Sequence, residues 1–387
     1  MRRLGIRKKK PVFLFYFTHF HYLCRQKKQI TTEMAAKIRI KDIAQRAGVS
    51  AGTVDRVLHN RPSVSKASFE KVKKVMEEMN YTPNMYASAL ACNRSYTFCV
   101  IMPKHSSEAY WDEIEEGTMA ACKHLRDFNV DVKIMYYERL NTQSFNNAIT
   151  ECLSYEPQGV IMIPADTSTT KPFADTLHKS NIPFVLLDSY IPSLNALSFY
   201  GQDSFCSGRF AARMLMLIAK GDKEIMIMKP MKDGKVASKQ QDNREKGFRQ
   251  FMAENYPTTV INELILPLDN NEESFDKHIG NYFASHPDTH NCITFCSKAY
   301  LIGEYLIRNN VKDCQILGYD MVARNKECVR KGSISFLIAQ HAYMQGYHSV
   351  DSLFRHIVLK EKINPINYMP IEILNKENVE FYQRTMI

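Results

Sequence analysis

Between Arg39 and Leu58 the sequence reads RIKDIAQRAGVSAGTVDRVL, and no other stretch leaves the backbone so few options. Ile43, Ala44 and Ala47 recur at helical spacing, Gly48 can take the positive φ that ends a helix, and Ser50 is a good N-cap for a second helix that turns Val54, Val57 and Leu58 inward. Two short helices joined by so tight a turn form a helix-turn-helix, whose second helix lies in the DNA major groove. On that helix Arg56 projects a long donor-bearing side chain, suited to a base or phosphate contact rather than to an ion pair with Asp55, which points elsewhere. Ala51 and Gly52 hold the first turn: Ala51 can meet a thymine methyl, and Gly52, costly inside a helix, allows the backbone close to DNA. Ser50 and Thr53 can donate to phosphates, with Lys41, Asn60 and Arg61 as further backbone-contact candidates.

The segment VSKASFEKVKKVMEEMNYTPN (64–84) predicts a third amphipathic helix, capped at Ser65, with Val72, Met76 and Met79 on one face and Pro83 as its stop. NMYASALACNRS (84–95) follows, small and helix-permissive, with one large apolar residue, Leu90. In this order, DIA..AGVS..TV.RVL, VS...F.KV, NY.PN and A..L, the motifs resemble the lactose-repressor (LacI) family of bacterial transcription regulators. The resemblance implies a hinge helix in which Leu90 both packs against a dimer mate and wedges between minor-groove base steps. Too short to be helical alone, that segment is expected to fold only when DNA and dimerisation supply contacts.

Charge divides in the same way. Residues 1–33 carry nine Lys/Arg and one acid, residues 34–94 eleven and five, which leaves −4 of the total +10 for residues 95–387. A basic amino-terminal quarter is the footprint of phosphate binding by counterion release. MRRLGIRKKK-PVFLFYF imitates a signal peptide, but the apolar run breaks at Thr18-His19, lacks a small-x-small cleavage site and is too short to span a bilayer. With Met34 just before the first periodic residues, residues 1–36 read as a disordered or mis-started extension. The ten cysteines contain no Cys-x-x-Cys pair, Cys292 and Cys296 being nearest, so reduced buried thiols are expected rather than a zinc site or disulfides. His19 and His21 have no partner ligands nearby, and neither a metal nor a cofactor is expected.

From Tyr96 onward β-rich runs alternate with helical patterns. Strands are predicted at 96–103, 131–137, 159–165, 183–189, 224–230, 261–268, 291–297, 315–320 and 334–340, and helices at 108–127, 142–155, 170–180, 204–219, 242–255, 272–285, 299–310 and 342–360. Near-continuous apolar strands separated by helices imply doubly wound parallel sheets, and about ten such units call for two lobes. The fold class expected is an all-α helix-turn-helix domain (37–83), a hinge helix (84–95) and an α/β two-lobed domain (96–387).

Ligands of open α/β sheets bind beyond the carboxyl ends of strands. Tyr110, Trp111, Asp188, Asp203, Lys298, Asp320 and Gln340 fall there, and Arg244 opens the helix NREKGF. The order also resembles the LacI-type effector domain and its periplasmic sugar-binding relatives. That resemblance implies an aromatic residue stacked on a sugar ring (Tyr110 or Trp111) and hydroxyl partners at Arg244, Asp320 and Gln340. It also implies an N-D-x-x-A-x-G motif where this chain has Ser297-Lys298-Ala299-Tyr300-Leu301-Ile302-Gly303, placing an ammonium where a carboxylate is usual. Trp111 serves alternatively as a core plug, Asp188 and Asp203 as helix caps, and Lys298 as a solvated first-turn residue. If Lys298 faces the ligand, an acidic or phosphorylated sugar is preferred; if it faces solvent, a neutral one.

No Walker loop, G-x-G-x-x-G, G-x-S-x-G or His-Glu-x-x-His is present, so enzyme activity is not expected. The partners expected are a double-stranded DNA operator, a sugar-like effector and a second copy of the chain, with no membrane, in the cytoplasm where the nucleoid lies. The competing reading is a solute receptor of the same fold with no DNA role.

Overall fold

The computed structural model describes residues 38–58, 64–79, 81, 86, 89, 94–107, 109–219, 224–232, 234–236, 238–267 and 272–382. The extension 1–36 and the candidates Asn60, Arg61 and Leu90 lie outside the described residues. The chain divides into two compact units between Met85 and Tyr86.

In the first unit α1 (Ile40–Ala47) ends at Gly48, whose φ of 64° turns the chain so that Val49 N–H returns to Ala44 O at 3.0 Å. α2 (Ala51–Leu58) starts at Ser50, whose Oγ accepts from Thr53 N–H at 3.1 Å. α3 (Lys66–Glu78) is capped by Ser65 Oγ accepting from Ser68 N–H. Ile43, Val54 and Val72, one from each helix, are fully buried against one another with Ala44, Ala47, Val57 and Val75. Each of the three stabilises so small a unit by about 1.5–3 kcal/mol. Met76 and Met79 only flank this core, which Val72 and Val75 fill.

The second unit has two lobes, each built on a sheet. The first-lobe sheet is ordered β12-β5-β4-β3-β1-β2, from β1 (Tyr96–Pro103), β2 (Val130–Tyr137), β3 (Gly159–Met162), β4 (Phe184–Leu187), β5 (Ser198–Gly201) and β12 (Asn367–Tyr368). The second is ordered β13-β11-β10-β9-β6-β7, from β6 (Glu224–Lys232), β7 (Lys235–Val236), β9 (Asn291–Ile293), β10 (Gln315–Tyr319), β11 (Phe336–Ala339) and β13 (Glu372–Leu374), with β8 (Val260–Pro267) also on β6. β3 and β4 are buried throughout, as strands covered by helices on both faces must be.

Several elements differ from expectation. Pairing is parallel except for β7 and β13, which join antiparallel to β6 and β11. β5 is absent from the predicted strands; SFYG is short, but it lies between β4 and β12 and is buried. β9 stops at Ile293, four residues early, where Phe295 turns its carbonyl to Arg244. A helix at Ala323–Arg330 was not expected, because ARNKECVR is too polar and short for a clear period.

The chain crosses between lobes after β5, after β11 and after β12. Gln202, buried in the first crossover, donates from Nε2 to Ala339 O (2.8 Å) at the second and to Pro370 O (2.7 Å) at the third. The helices that follow the first two crossovers, α7 (Ser204–Ile218) and α12 (Ala342–Ile357), pack on the opening helices of the lobes, α8 (Lys239–Asn255) and α4 (Tyr110–His124). Both crossings are glycine contacts. A Cβ on Gly208 would lie 1.9 Å from Arg244 O, and one on Gly346 2.0 Å from Ile114 O, so only glycine permits the approach.

Candidate functional site

On the first unit Lys41, Ala51, Gly52 and Arg56 are exposed, and Ser50 and Thr53 hydroxyls bond each other at 2.9 Å beside the start of α2. A Cβ on Gly52 would meet nothing closer than Ser50 Oγ at 3.8 Å, so nothing within the unit demands glycine there. The glycine leaves a bare stretch of backbone at the amino end of the helix that a helix-turn-helix lays in the groove.

In the second unit a cavity of ≈330 Å³ lies between the lobes, against the carboxyl ends of β1, β2, β3 and β4. Asn141, Asp166 and Ser238 line it, and each is also the N-cap of a helix: α5 (Thr142–Ser154), α6 (Thr167–Lys179) and α8. Three helix N-termini thus open on one space, with Trp111, Arg139 and Asp188 on its wall. The Arg139 guanidinium lies 5.6 Å from the Trp111 ring centre, and burial pulls its pKa down.

Behind this wall runs a buried polar chain. Tyr110 OH donates to Asp188 Oδ1 at 2.9 Å and receives Gln345 Nε2 at 3.2 Å; Gln345 also donates to Gln340 O at 2.9 Å. Gln340 Nε2 donates to Asp320 Oδ1 at 2.5 Å, and its Oε1 accepts from Arg244 Nη2. Arg244, 1% exposed, also donates from Nη1 to Phe295 O (2.9 Å) and lies 4.2 Å over the Tyr319 ring. Asp188 and Asp320 end their strands at φ 64° and 72°, the left-handed region that a short Asp side chain tolerates. Burial raises Asp320 to about 7 against the opposing pull of Arg244 and the Gln340 bond, and it raises Asp188 against Arg244 and Tyr110.

The structure therefore brings Tyr110, Asp188, Arg244, Asp320 and Gln340 into one network and puts Trp111 on the cavity wall. Two expectations fail. Tyr110 presents no stacking face: it is buried edge-on to Trp111, 4.9 Å between ring centres, with its hydroxyl used by Asp188. Lys298 does not line the cavity; it sits half-exposed with Nζ 6.0 Å from the Tyr300 ring, because β9 ends early and the chain has already turned. Asp203 caps α7 by accepting from Cys206 N–H at 2.9 Å and faces a different cavity. Sequence reasoning missed Arg139, although it follows β2 directly and the strand-end rule covers it, and it missed Gln345, for which an interior helix position gives no signal. Among the described residues no cluster of His, Cys, Asp and Glu could hold a metal, and no helix is long and apolar enough to cross a membrane.

Residues 39–84 match the profile of bacterial regulatory proteins of the lacI family, and residues 98–362 match the periplasmic binding protein domain. The chain belongs to the LacI family. It is 35% identical over 144 residues to catabolite control protein B of Bacillus subtilis, covering 33% of this chain and 46% of that protein. To the ribose operon repressor of Lactococcus lactis it is 23% identical over 360 residues, 88% of this chain and 99% of the other. Among solved structures, a candidate LacI transcriptional regulator from Bacteroides fragilis is 39% identical with a TM-score of 0.72, over 75% of this chain and 100% of that one. A glucose-galactose binding protein from Geobacillus stearothermophilus, 20% identical with a TM-score of 0.64 over 74% and 99%, shares the fold. As a LacI-family protein the chain is a DNA-binding transcription regulator with a periplasmic-binding-protein-type domain. A stand-alone solute receptor has no use for its helix-turn-helix, and the family is one of regulators rather than enzymes.

Proposed function

We propose that this regulator acts in the cytoplasm as a homodimer on a pseudo-palindromic operator, and that a neutral polyhydroxylated ring compound between its lobes sets operator affinity. The effector reading is carried by the interlobe cavity, whose aromatic Trp111 face and ring of polar groups suit a buried sugar. The signs on its wall are mixed: Arg139 and Lys239 are set against Glu138, Asp166 and Asp188, and Lys298 adds no charge there. That balance supports a neutral ligand over an acidic one. Gln240 Nε2 donates across the cleft to Asp188 O at 2.7 Å and Lys239 Nζ reaches Thr167 Oγ1 at 3.4 Å, contacts that depend on the lobes being together. A ligand bridging the same surfaces biases closure, and by linkage DNA affinity changes by the same coupling.

On the DNA side, Arg56 is assigned to base readout, Ala51 and Gly52 to close groove approach, and Ser50, Thr53 and Lys41 to phosphates. One short helix reads only a few base pairs, and two-fold symmetry doubles the footprint. Mobility shifts on an operator selected from random sequence test this. Affinity falls as salt rises, Arg56→Ala loses about 1–3 kcal/mol of specific binding with the fold intact, and a saccharide that moves the emission of Trp111, the one tryptophan, alters operator affinity. Wild-type affinity in Arg56→Ala, or an operator affinity that no saccharide changes, refutes the corresponding half.

A further inference from the structure

A second cavity, of ≈320 Å³, adjoins the first and shares Asp188, Ser189 and Lys239 with it. Its character differs. Tyr190, Phe205 and Tyr368 line it, and they remain 37%, 36% and 54% exposed although each is a large aromatic ring. Phe199 lies beneath two of them, 4.9 Å from the Tyr190 ring and 6.2 Å from that of Tyr368, which fixes their orientation. Asp203, Gln240 and Asn243 supply polar groups among the rings. Three aromatic side chains left exposed on one concave wall, with a few convergent polar groups, are what a carbohydrate ring needs: apolar C–H faces stack on the rings and hydroxyls bond at the rim. The two chambers are nearly equal in volume, and each is at the small end of ligand pockets.

We propose that the cleft takes a two-ring saccharide. One ring lies against Trp111 and Arg139, the other on Tyr190, Phe205 and Tyr368, and the glycosidic link spans the residues common to both chambers, Asp188 and Ser189 of the first lobe and Lys239 of the second, displacing the Gln240 contact to Asp188 O that bridges them here. The proposal rests on the saccharide reading of the first cavity. It also places the second ring at the crossovers, since Phe205 opens α7 just after the first and Tyr368 ends β12 just before the third. A ligand filling both chambers therefore touches the segments that join the lobes, which a single ring in the first chamber does not reach.

Calorimetric titration of the full chain with glucose, galactose and arabinose, and with maltose, cellobiose, lactose, melibiose, sucrose and trehalose, tests it. At least one disaccharide is expected to bind ten times more tightly than its component monosaccharides. Tyr368→Ala and Phe205→Ala are expected to erase that advantage and leave monosaccharide affinity and the thermal midpoint unchanged; Tyr190→Ala serves where either variant is unstable. Monosaccharides binding as tightly as every disaccharide, or aromatic variants that leave disaccharide affinity unaltered, overturn the two-ring proposal but leave the first cavity's reading intact. If none of these sugars binds, both fall.

Discussion

Gly52→Ala separates two roles that one residue plays in opposite directions. The position is helical, exposed and at the amino end of α2, and an added Cβ meets only Ser50 Oγ at 3.8 Å, ordinary contact distance. The substitution therefore brings no strain. It removes the conformational freedom that glycine confers on the unfolded chain, and the first unit gains about 0.5–1 kcal/mol, a two- to fivefold shift toward the folded state. On DNA the same methyl stands between backbone and groove. If the bare backbone approaches the bases there, the variant loses about 1–3 kcal/mol, roughly five- to 150-fold in operator affinity, on the scale of one good base contact. Urea denaturation followed by far-ultraviolet circular dichroism reads the first quantity, and mobility shift at fixed salt the second. A more stable protein that binds its operator more weakly is the expected pair. A stabilised variant with unchanged affinity refutes the close approach, and a destabilised one refutes the packing argument.

The second unit yields two further predictions. In Gly208→Ala the Cβ must retreat from 1.9 Å of Arg244 O to ordinary contact, forcing α7 and α8 apart by about 1.5 Å at a cost of about 1–3 kcal/mol and disturbing the Arg244 bonds to Phe295 and Gln340; Gly280→Ala, whose Cβ meets no backbone and only the far end of the Tyr305 side chain, the hydroxyl at 3.2 Å, is the control. Equal thermal midpoints for the two variants would contradict the glycine reading. For Asp320 the folded state, titrating at about 7, holds its proton more tightly than the unfolded chain, so its contribution to stability is fullest at acid pH and is lost as pH rises from the ordinary carboxylate range through 7. Urea midpoints measured from pH 5 to 7.5 are expected to fall less steeply, or to rise, in Asp320→Asn compared with wild type, and parallel slopes would refute the assignment.

How far the sequence speaks depends on the range of the interaction concerned. The helix-turn-helix was legible to the residue because its signals are local: Gly48 in the left-handed region, Ser50 and Ser65 as caps, apolar side chains one turn apart. Asp320 and Gln340 could be placed together because strand ends of one sheet converge whatever the details of packing, whereas Arg244, inside α8, was grouped with them only by the family resemblance. Lys298 could not be placed, since its direction depends on where β9 stops, and a tertiary hydrogen bond to Phe295 O decides that. β5 and the helix at Ala323–Arg330 gain their identity from neighbours distant in sequence, which is why four to eight residues read in isolation mislead. Tyr110 and Trp111 were interchangeable in the sequence and are opposites in the structure, one sealed by Asp188 and the other open to the cavity.

The carboxamide of Gln202 is the pin of a three-leaf hinge. Segments held to one point can twist but cannot slide past one another, so relative motion of the lobes reduces to rotation about an axis near that side chain. Displacement then grows with distance from the pin. A closure of modest size at the cavity rim becomes a wider sweep at the outer ends of the lobes, and the length of those arms, rather than the strength of any contact in the cleft, fixes how far the signal travels.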